Sequence, residues 1–493
     1  MTEETGFSAA NKTTPLLDVL IVGAGLSGIG AAYHLQHECP KKTFAVLEGR
    51  ASMGGTWDLF KYPGIRSDSD MYTLGFPFSP WENPKAIADG PSILKYIKDT
   101  AAKFGIDKKI QFNHKVVDAA WSDTEKLWTL QIAAHENVPQ GPLQCKFLFM
   151  CSGYYNYDKG YAPQFPGSES FKGAIIHPQK WDAQINYENK KVVIIGSGAT
   201  AVTLVPEMAK KAEKVTMLQR SPTYIISLPS EDAVAKILRK ILPRKAAYDL
   251  VRWKNILFAL GFYNASRKWP HAVKKLIQKG IKKELGAKYN INHFNPKYKP
   301  WDQRLCIVPD ADLFHSIKEG KAEVVTDTIS HFTPKGILLN SGKELEADII
   351  VTATGLNVQL LGGMTMRMND KLIESGKLHS YRGVMFSDVP NFAIAIGYTN
   401  ASWTLKCDLN CRFVTRLLNN MEQHNYSVCT PRFDSKAFQS EPLLDFNAGY
   451  VLRAADVLPK QGSKHPWKVY QNYVRDLLSL KFGTVNDKYL EYQ

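Results

Sequence analysis

Residues 18–28 read DVLIVGAGLSG, an apolar run that ends in three closely spaced glycines. A short apolar run that stops at a glycine predicts a buried parallel strand. A helical pattern follows over 26–37, and the apolar run FAVLE at 44–48 predicts a second strand. The stretch therefore predicts a βαβ unit of about thirty residues, the smallest part of a dinucleotide-binding fold.

The three glycines of this first turn have separate physical roles. Gly23 permits the tight bend from strand to helix, Gly25 lets the backbone approach a pyrophosphate, and Gly28 lets the helix pack against the strand. Glu48 lies twenty residues after Gly28, where a carboxylate accepts hydrogen bonds from ribose hydroxyls. We interpret the turn as a dinucleotide site; the alternative is a glycine-rich turn without a ligand.

A second turn, IIGSGATA at 194–201, lies in a second βαβ unit. Where the first unit has the carboxylate of Glu48, this unit has Gln219, which is followed by Arg220 and Ser221. A carboxylate would repel a 2′-phosphate, whereas arginine and a hydroxyl can bind it. The first turn therefore suits FAD and the second suits NADPH; the alternative is that Arg220 is a solvated surface side chain.

The composition is that of a soluble, multidomain protein. A length of 493 residues predicts two or three domains, and 44% hydrophobic with 22% charged residues is ordinary. No apolar run approaches the ~20 residues of a membrane span, and the N-terminus, MTEETGFSAANKTTP, lacks the features of a signal peptide. Seven scattered cysteines without a CxxC pair favour a reducing cytoplasm.

The net charge of +15 is concentrated in one segment. Residues 231–288 hold fifteen Lys and Arg against four Asp and Glu, so the rest of the chain is close to neutral. This distribution argues against a nucleic-acid binder. Leu, Ile, Trp and Lys at helical spacing predict amphipathic helices, which are either a solvated cap on the domain or a peripheral contact with an anionic membrane.

The fold class predicted from these patterns is α/β, with two Rossmann-like dinucleotide-binding domains and an inserted helical segment. The FAD-binding domain is predicted to comprise 1–155 and 340–493. The NADPH-binding domain is predicted to comprise 156–225 and 290–339, and the basic helical insertion 226–289. The loop at 54–76, rich in Gly, Pro, Asp and aromatic residues, is predicted to contact a ligand.

Between the two turns the chain reads FKGAIIHPQKWD at 171–182. This matches the pattern FxGxxxHxxxW followed by Pro or Asp, and the chain thereby resembles the type I Baeyer–Villiger monooxygenases. Within that group it is most similar to the ethionamide-activating monooxygenases, through blocks such as MGGTWDLFKYPGIRSDSDMYTLGF and YKPWDQRLCIVPD. The matching residues, which we expect to form a hinge, are Phe171, Gly173, His177, Trp181 and Asp182.

The resemblance implies a reaction. NADPH would reduce FAD, O2 would add to the flavin, and the C4a-peroxyflavin would convert ketones to esters or lactones and oxygenate sulfides or thioamides. Two alternatives remain at this point. One is a flavin monooxygenase that acts only on soft sulfur or nitrogen nucleophiles, and the other is a nucleotide-binding, membrane-associated protein without turnover.

The resemblance also implies the catalytic residues. Arg304 aligns with the active-site arginine and Asp68 with the carboxylate that orients it. The alternative for Arg304 is a structural ion pair with Asp302 or Asp310. We expect His177 to bond backbone groups in the hinge, not to act as a base. Many members carry Lys where this chain has Gln303, so the preference for NADPH would rest more on Arg220.

The predicted cofactor contacts lie on the two turns and on the loops beside them. For FAD they are Gly23, Gly25, Ser27, Gly28, Glu48, Gly55, Thr56, Trp57, Asp58, Asp68 and Val116. For NADPH they are Arg66, Ser67, Asp68, Gly196, Ser197, Gly198, Ala199, Thr200, Ala201, Arg220 and Ser221. No metal site is predicted, and the sequence makes no prediction of oligomeric state.

Overall fold

The computed structural model of the chain describes residues 16–136, 141–286, 289–444 and 449–493. The N-terminal stretch MTEETGFSAANKTTP, predicted not to be a signal peptide, lies outside the described residues. The fold class predicted from the sequence is confirmed. Two α/β modules, the first built on a mixed sheet and the second on a parallel sheet, are joined by paired linkers and bridged by three inserted helices.

The first module is built on a nine-stranded sheet. Its central parallel strands are rich in Val, Ile, Leu and Phe, as expected for strands whose two faces are both covered by protein. In spatial order the strands are Lys371–Leu372, Thr365–Met368, Val116–Ser122, Leu127–Ile132, Leu143–Met150, Leu17–Val22, Phe44–Leu47 and Ile110–Gln111, and Phe392–Ile394 pairs with the end of Leu143–Met150.

The register of this sheet determines where its functional groups lie. Val22 is paired with Leu47 on one side and with Met150 on the other. Three parallel strands therefore end at one level, immediately before the first turn, Glu48 and the segment 151–153. The carboxyl ends of parallel strands are the usual ligand-binding edge of such a sheet.

The helices of the first module cover that sheet and frame its edge. The predicted helix after the first turn is present, and the loop predicted at 54–76 contains two single helical turns. The helices are Leu26–Glu38, Thr56–Leu59, Met71–Leu74, Gly90–Lys103 and Trp403–Gln423. The C-terminal part adds two small antiparallel pairs, Cys429–Pro431 with Leu490–Tyr492 and Ser440–Pro442 with Lys460–Gly462, and the short helices Gly449–Leu452 and Tyr473–Asp476.

The second module is a five-stranded, fully parallel sheet. Its spatial order is Ala322–Thr326, Lys214–Gln219, Lys191–Ile195, Ile349–Thr352 and Ala174–Ile176. Helices Ala199–Met208 and Asp312–Lys318 pack on it, and two smaller sheets complete the module. Those sheets are Ile225–Leu228 with Cys306–Pro309, and Ile329–Thr333 with Gly336–Leu339 and Glu344–Glu346.

One predicted boundary is wrong. The chain was predicted to return to the first module at residue 340, but Ile349–Thr352 lies inside the second sheet. Neighbours in a parallel sheet are joined by crossovers and are seldom neighbours in the chain. Sequence order therefore did not reveal that this strand fills the gap between Lys191–Ile195 and Ala174–Ile176.

Two chain segments connect the modules, and they run side by side. The amide of Tyr161 donates to the carbonyl of Gly355 at 3.0 Å, and the amide of Asn156 donates to that of Asn357 at 2.9 Å. His177 Nε2 lies 3.3 Å from the same Gly355 oxygen. This contact supports the prediction that His177 bonds backbone groups where the modules are joined.

The basic segment folds as helices, as predicted. They are Ala233–Ile241, Arg244–Lys268 and Pro270–Leu285. The second of them bridges the modules, because its buried Arg252 donates to the carbonyls of Tyr72 and Gly75, whereas Arg267 pairs with Asp302. Within the ranges that the structure describes, no helix is both long enough and apolar enough to cross a bilayer.

Candidate functional site

A cavity of about 450 Å³ lies where the ligand-binding edges of the two modules face each other. Its walls come from the first turn, the loop after the second strand, the segment 151–157, the start of helix Ala199–Met208 and Arg304. Groups from both nucleotide turns therefore meet in one space. That arrangement suits a reaction between two bound molecules.

The glycines of the first turn are required by close approaches. Gly23 has φ +108°, and a Cβ there would lie 2.6 Å from the carbonyl oxygen of Cys151. A Cβ on Gly28 would lie 1.8 Å from the carbonyl oxygen of Gly23. A Cβ on Gly25 would meet only the backbone of Gly55, at 3.6 Å. These contacts support the roles of bend, helix packing and ligand approach.

The predicted ribose acceptor is held in place by backbone donors. Glu48 is 7% exposed and lines the cavity. Its carboxylate accepts from the amide of Ala24 at 2.8 Å and from that of Arg50 at 3.0 Å. Burial raises the pKa of Glu48, and these amides oppose that shift. The carboxylate is thus oriented before any ligand arrives.

Most of the residues predicted beside the first turn line the cavity, and their contact with FAD stays a prediction. Gly55, Thr56 and Trp57 line the cavity, as do Ser27 and Val116. The exception is Asp58. Its carboxylate is bound by Arg50 Nη2 at 2.7 Å and by Ser52 Oγ at 2.5 Å, and it does not line the cavity. Asp58 fixes the loop, because the neighbouring arginine and hydroxyl capture its charge.

The second turn repeats the geometry of the first but is more open. Gly196 has φ +137°, and a Cβ there would lie 2.3 Å from the carbonyl oxygen of Ala353, as Cys151 opposes Gly23. Nothing lies within 4 Å of a Cβ built on Gly198. Ala199 and Thr200 line the cavity, while Ala201 is buried against the sheet.

The residues predicted to bind the 2′-phosphate, Arg220 and Ser221, lie at the outer side of this second turn. Ser197 Oγ donates to the carbonyl of Ser221 at 3.2 Å, which places the end of strand Lys214–Gln219 beside the turn. Arg220 and Ser221 are exposed and do not line the shared cavity. Gln219 is buried and donates to the carbonyl of His293 at 2.7 Å.

Arg304 and Asp68 meet in the cavity. Arg304 Nη2 lies 2.6 Å from Asp68 Oδ2, and about a third of each side chain is accessible, 35% and 32%. The carboxylate of Asp68 raises the pKa of Arg304 further above its ordinary value. The alternative partners are engaged elsewhere: Asp302 binds Arg267, and Asp310 accepts from the amide of Ser230. The predicted pair is therefore the one that forms.

Two tyrosines that the sequence analysis did not single out, Tyr154 and Tyr155, line the cavity together with Arg304. The hydroxyls of Tyr154 and Tyr155 lie 2.8 Å apart, and burial raises the pKa of Tyr155 to about 12. The ring of Tyr154 stacks on Trp403 at 5.1 Å, and Trp403 Nε1 donates to Ser27 Oγ at 2.9 Å. The available signal was GYYNY at 153–157, directly after a strand end. Because burial also raises the pKa of Tyr154, both phenols stay neutral beside Arg304.

Arg66 and Ser67, predicted to contact NADPH, both have side-chain partners within the protein. The guanidinium of Arg66 pairs with Asp312 of the second module, and Ser67 Oγ bonds Ser69 Oγ at 3.2 Å. Both residues nevertheless line the cavity. The ion pair between Arg66 and Asp312 therefore holds the two modules together at the site.

The fingerprint residues at 171–182 do not line the cavity. Phe171 is buried beside Phe332, and a Cβ on Gly173 would lie 2.2 Å from the carbonyl oxygen of Asp348. Trp181 packs against Tyr187, and Asp182 caps the following turn at the amide of Gln184. The segment is thus part of the second module near the linkers, and its predicted hinge role stays a prediction.

The donor set at the first turn fits a dinucleotide. Ser152 Oγ and Arg66 Nε are buried and have no hydrogen-bond partner among the described residues, although both residues line the cavity. Gly25 and Gly55 lie close together and neither has a side chain. A pyrophosphate can therefore approach their backbone beside the helix N-terminus. Unpaired buried polar atoms are costly, so a polar ligand would satisfy them.

Comparison with known proteins gives consistent results. The flavin-binding monooxygenase-like family matches residues 18–424. The chain is 54% identical over 481 residues to the FAD-containing monooxygenase EthA of Mycobacterium tuberculosis (strain ATCC 25618 / H37Rv), covering 97% of this chain and 98% of the relative. It is 48% identical over 478 residues to the probable FAD-binding monooxygenase AlmA of Acinetobacter sp, covering 97% and 96%.

Solved structures share the fold. An oxidized steroid monooxygenase bound to NADP superposes with a TM-score of 0.76 at 19% identity, covering 97% of this chain and 99% of that one. The open crystal structure of cyclohexanone monooxygenase gives a TM-score of 0.76 at 19% identity, covering 97% and 100%. At this identity the likeness concerns the fold: two dinucleotide modules in the same arrangement.

Proposed function

The chain belongs to the flavin-binding monooxygenase-like family, and from that premise we propose that it is an FAD- and NADPH-dependent monooxygenase that converts ketones to esters or lactones. The observation that carries the proposal is the ion pair of Arg304 with Asp68 in a cavity lined by both nucleotide turns. A permanently charged guanidinium between two cofactor sites is suited to stabilising negative charge that develops on oxygen.

The first turn would hold FAD and the second NADPH. Gly25, Glu48 and Ser152 would bind the first dinucleotide, while Ser197 and Arg220 would bind the second. When bound, FAD supplies the capacity to accept a hydride from NADPH and to activate O2. That relatives of this chain are named as FAD-containing and that structural neighbours were crystallised with FAD and NADP supports the assignment.

Arg304 would act on the carbonyl oxygen of the substrate. Its charge favours an oxyanion there, and Asp68 holds the guanidinium at 2.6 Å so that little reorganisation is needed. Because the pKa of Arg304 is raised, the group stays protonated throughout. Tyr154 and Trp403 provide stacked aromatic surface that excludes water from the same space.

The substrate is a small molecule, and O2 is the second substrate. We include sulfides and thioamides among the substrates, because their sulfur accepts oxygen without an oxyanion to be stabilised. An enzyme restricted to soft sulfur or nitrogen nucleophiles would have little use for the charge of Arg304. For the same reason we rank such an enzyme below a monooxygenase that acts on ketones. We assign the protein to the cytoplasm on the basis of its cysteine usage.

Product analysis tests this proposal. The purified protein, loaded with FAD, is incubated with NADPH, O2 and a panel of phenylacetone-like and long-chain ketones, with a sulfide in parallel. We expect esters that contain one added oxygen atom, together with sulfoxide. Sulfoxide without any ester would contradict the ketone assignment, and a protein that cannot be loaded with FAD would contradict the enzyme assignment altogether.

A further inference from the structure

Exposed large hydrophobic side chains are concentrated in the segment that holds the three inserted helices. Nine of the seventeen exposed large hydrophobic side chains among the described residues fall between Val234 and Leu276. That span is less than a tenth of the chain. Exposed apolar side chains are ordinary when scattered, but a cluster of this size marks a binding surface.

The exposed side chains follow helix periodicity. In Ala233–Ile241 they are Val234, Ile237 and Ile241, at intervals of three and four residues. In Arg244–Lys268, Leu250 and Leu257 lie seven residues apart and are 52% and 55% exposed. Each of these two helices thus turns an apolar stripe to solvent, where a solvated helix would carry polar residues.

Basic side chains accompany the apolar ones. The third helix carries Lys275, Lys279, Lys282 and Lys283 beside Leu276, which is 64% exposed. Ion pairs are recorded for other cations of the insertion, but none of these four lysines pairs with a carboxylate that the structure describes. Their charge is therefore available to an external anion.

We propose that the insertion docks on an anionic lipid bilayer. Apolar side chains that enter the acyl boundary and lysines that reach phosphate headgroups make the composition of an interfacial helix. Two copies of this chain would bring equal positive charge together, which disfavours a symmetric dimer through this face. Nucleic acid would match the charge but not the protruding leucine and isoleucine side chains.

Vesicle binding tests the charge component. The full-length protein is mixed with vesicles of phosphatidylglycerol and phosphatidylcholine, or of phosphatidylcholine alone, and bound protein is measured by flotation. We expect binding to the anionic vesicles only, and its loss in 1 M salt, where screening acts within about 3 Å. The double variant Lys275→Gln and Lys279→Gln should bind roughly twenty-five-fold more weakly, at about five-fold per lysine.

The matched control removes equal charge elsewhere. Lys108→Gln with Lys371→Gln, two exposed lysines of the first module, should leave binding unchanged. An equal loss in both double variants would mean a non-specific effect of net charge and would overturn the docking surface. Because binding is measured without NADPH or substrate, the result does not depend on the proposed reaction.

Apolar variants test the other component. Ile241→Ser with Leu276→Ser, which are 69% and 64% exposed, should weaken binding at least ten-fold. The control is Leu372→Ser with Phe482→Ser, which are 62% and 65% exposed outside the insertion. Absence of wild-type binding to anionic vesicles, or equal binding by both pairs, would overturn the proposal. If the insertion bound an acidic protein but not anionic vesicles, the proposal of a lipid-binding surface would also be overturned.

Discussion

The two nucleotide turns share a backbone geometry and differ in their surroundings. The first turn is enclosed: Gly25 faces Gly55, and helix Leu26–Glu38 is buried beneath Trp403–Gln423. The second turn is open, with Gly198, Ala199 and Arg220 exposed. An enclosed turn suits a cofactor that stays bound through many turnovers. An open one suits a cosubstrate that must leave after each turnover.

The largest effect is expected from an added methyl group at the enclosed turn. Gly23→Ala places Cβ 2.6 Å from the carbonyl oxygen of Cys151 at φ +108°. We expect a loss of about 4 kcal/mol in the free energy of unfolding, with loss of bound FAD. Thermal unfolding and the flavin absorbance of the purified protein measure both.

Gly198→Ala is the control for that substitution. Its φ is −82°, and nothing lies within 4 Å of the added methyl group. The free energy of unfolding should change by less than about 0.5 kcal/mol. If Gly23→Ala and Gly198→Ala destabilised the protein to a similar extent, the first turn would not be more tightly enclosed than the second.

A buried ion cluster behind the first turn predicts the next effect. His34 lies 2.8 Å from both Asp408 and Glu38, whereas helix Ala199–Met208 behind the second turn buries mainly apolar side chains. His34→Gln removes one of the two cationic partners of Asp408 and leaves Arg412 at 3.1 Å, which should lower the free energy of unfolding by about 2 kcal/mol near pH 6. His37→Gln, one turn away and less buried, should have little effect.

The same cluster makes stability depend on pH. Burial alone would lower the pKa of His34, but the carboxylates of Asp408 and Glu38 together raise that pKa above its ordinary value of 6.5. Protonated His34 thus stabilises the folded state fully below pH 6.5, and this contribution is lost as the pH rises through the raised pKa. Urea unfolding between pH 6 and 9 should show the decline in the wild type and not in His34→Gln.

The carboxylate side of the cluster acts at the other end of the pH range. Burial would raise the pKa of Asp408, yet His34 and Arg412 hold it below its ordinary value of 3.8. Its stabilisation is complete above pH 3.8 and is lost as the pH falls through the lowered value. A wild-type stability that stays flat in both windows would contradict the coupling.

A smaller effect is expected at the open turn. Arg220→Ala should raise the KM for NADPH roughly ten- to thirty-fold, or about 2 kcal/mol, because a charge-assisted contact with the 2′-phosphate is lost. The KM for NADH should change little. Steady-state rates with both nucleotides measure this, and an equal rise in both would show that Arg220 does not recognise the phosphate.

The smallest effect is expected beside Arg304. Gln303→Lys adds a cation where many Baeyer–Villiger monooxygenases carry one, and it should lower the KM for NADPH about three-fold without changing that for NADH. Gln303→Met is the control for the loss of the amide. An unchanged ratio of the two constants would leave phosphate recognition to Arg220 alone.

Local patterns sufficed to predict much of the fold and part of the site. The strand, glycine turn and helix at 18–37, and their repeat at 191–208, depend on neighbours in the chain. The backbone strain at Gly23 and Gly196 follows from that local geometry. Glu48 was found in the same way, since its position depends only on the length of one βαβ unit.

Contacts between distant segments were beyond such patterns. Arg304 and Asp68 are 236 residues apart, and only the family resemblance paired them. Asp58 was predicted to contact FAD, but its carboxylate is bound by Arg50 and Ser52. Strand Ile349–Thr352 lies in the second sheet because sheet order does not follow chain order. Tyr154 and Tyr155 were missed although they follow a strand end at the binding edge.

The most direct test of the account separates flavin reduction from oxygen transfer in Arg304→Ala. Flavin reduction by NADPH is followed anaerobically by absorbance, and ester is quantified after O2 and ketone are added. We predict that the reduction step is retained and that ester formation falls by about a thousand-fold, because the guanidinium would act on the substrate oxyanion. Ester formation within ten-fold of the wild type would contradict the central role of Arg304.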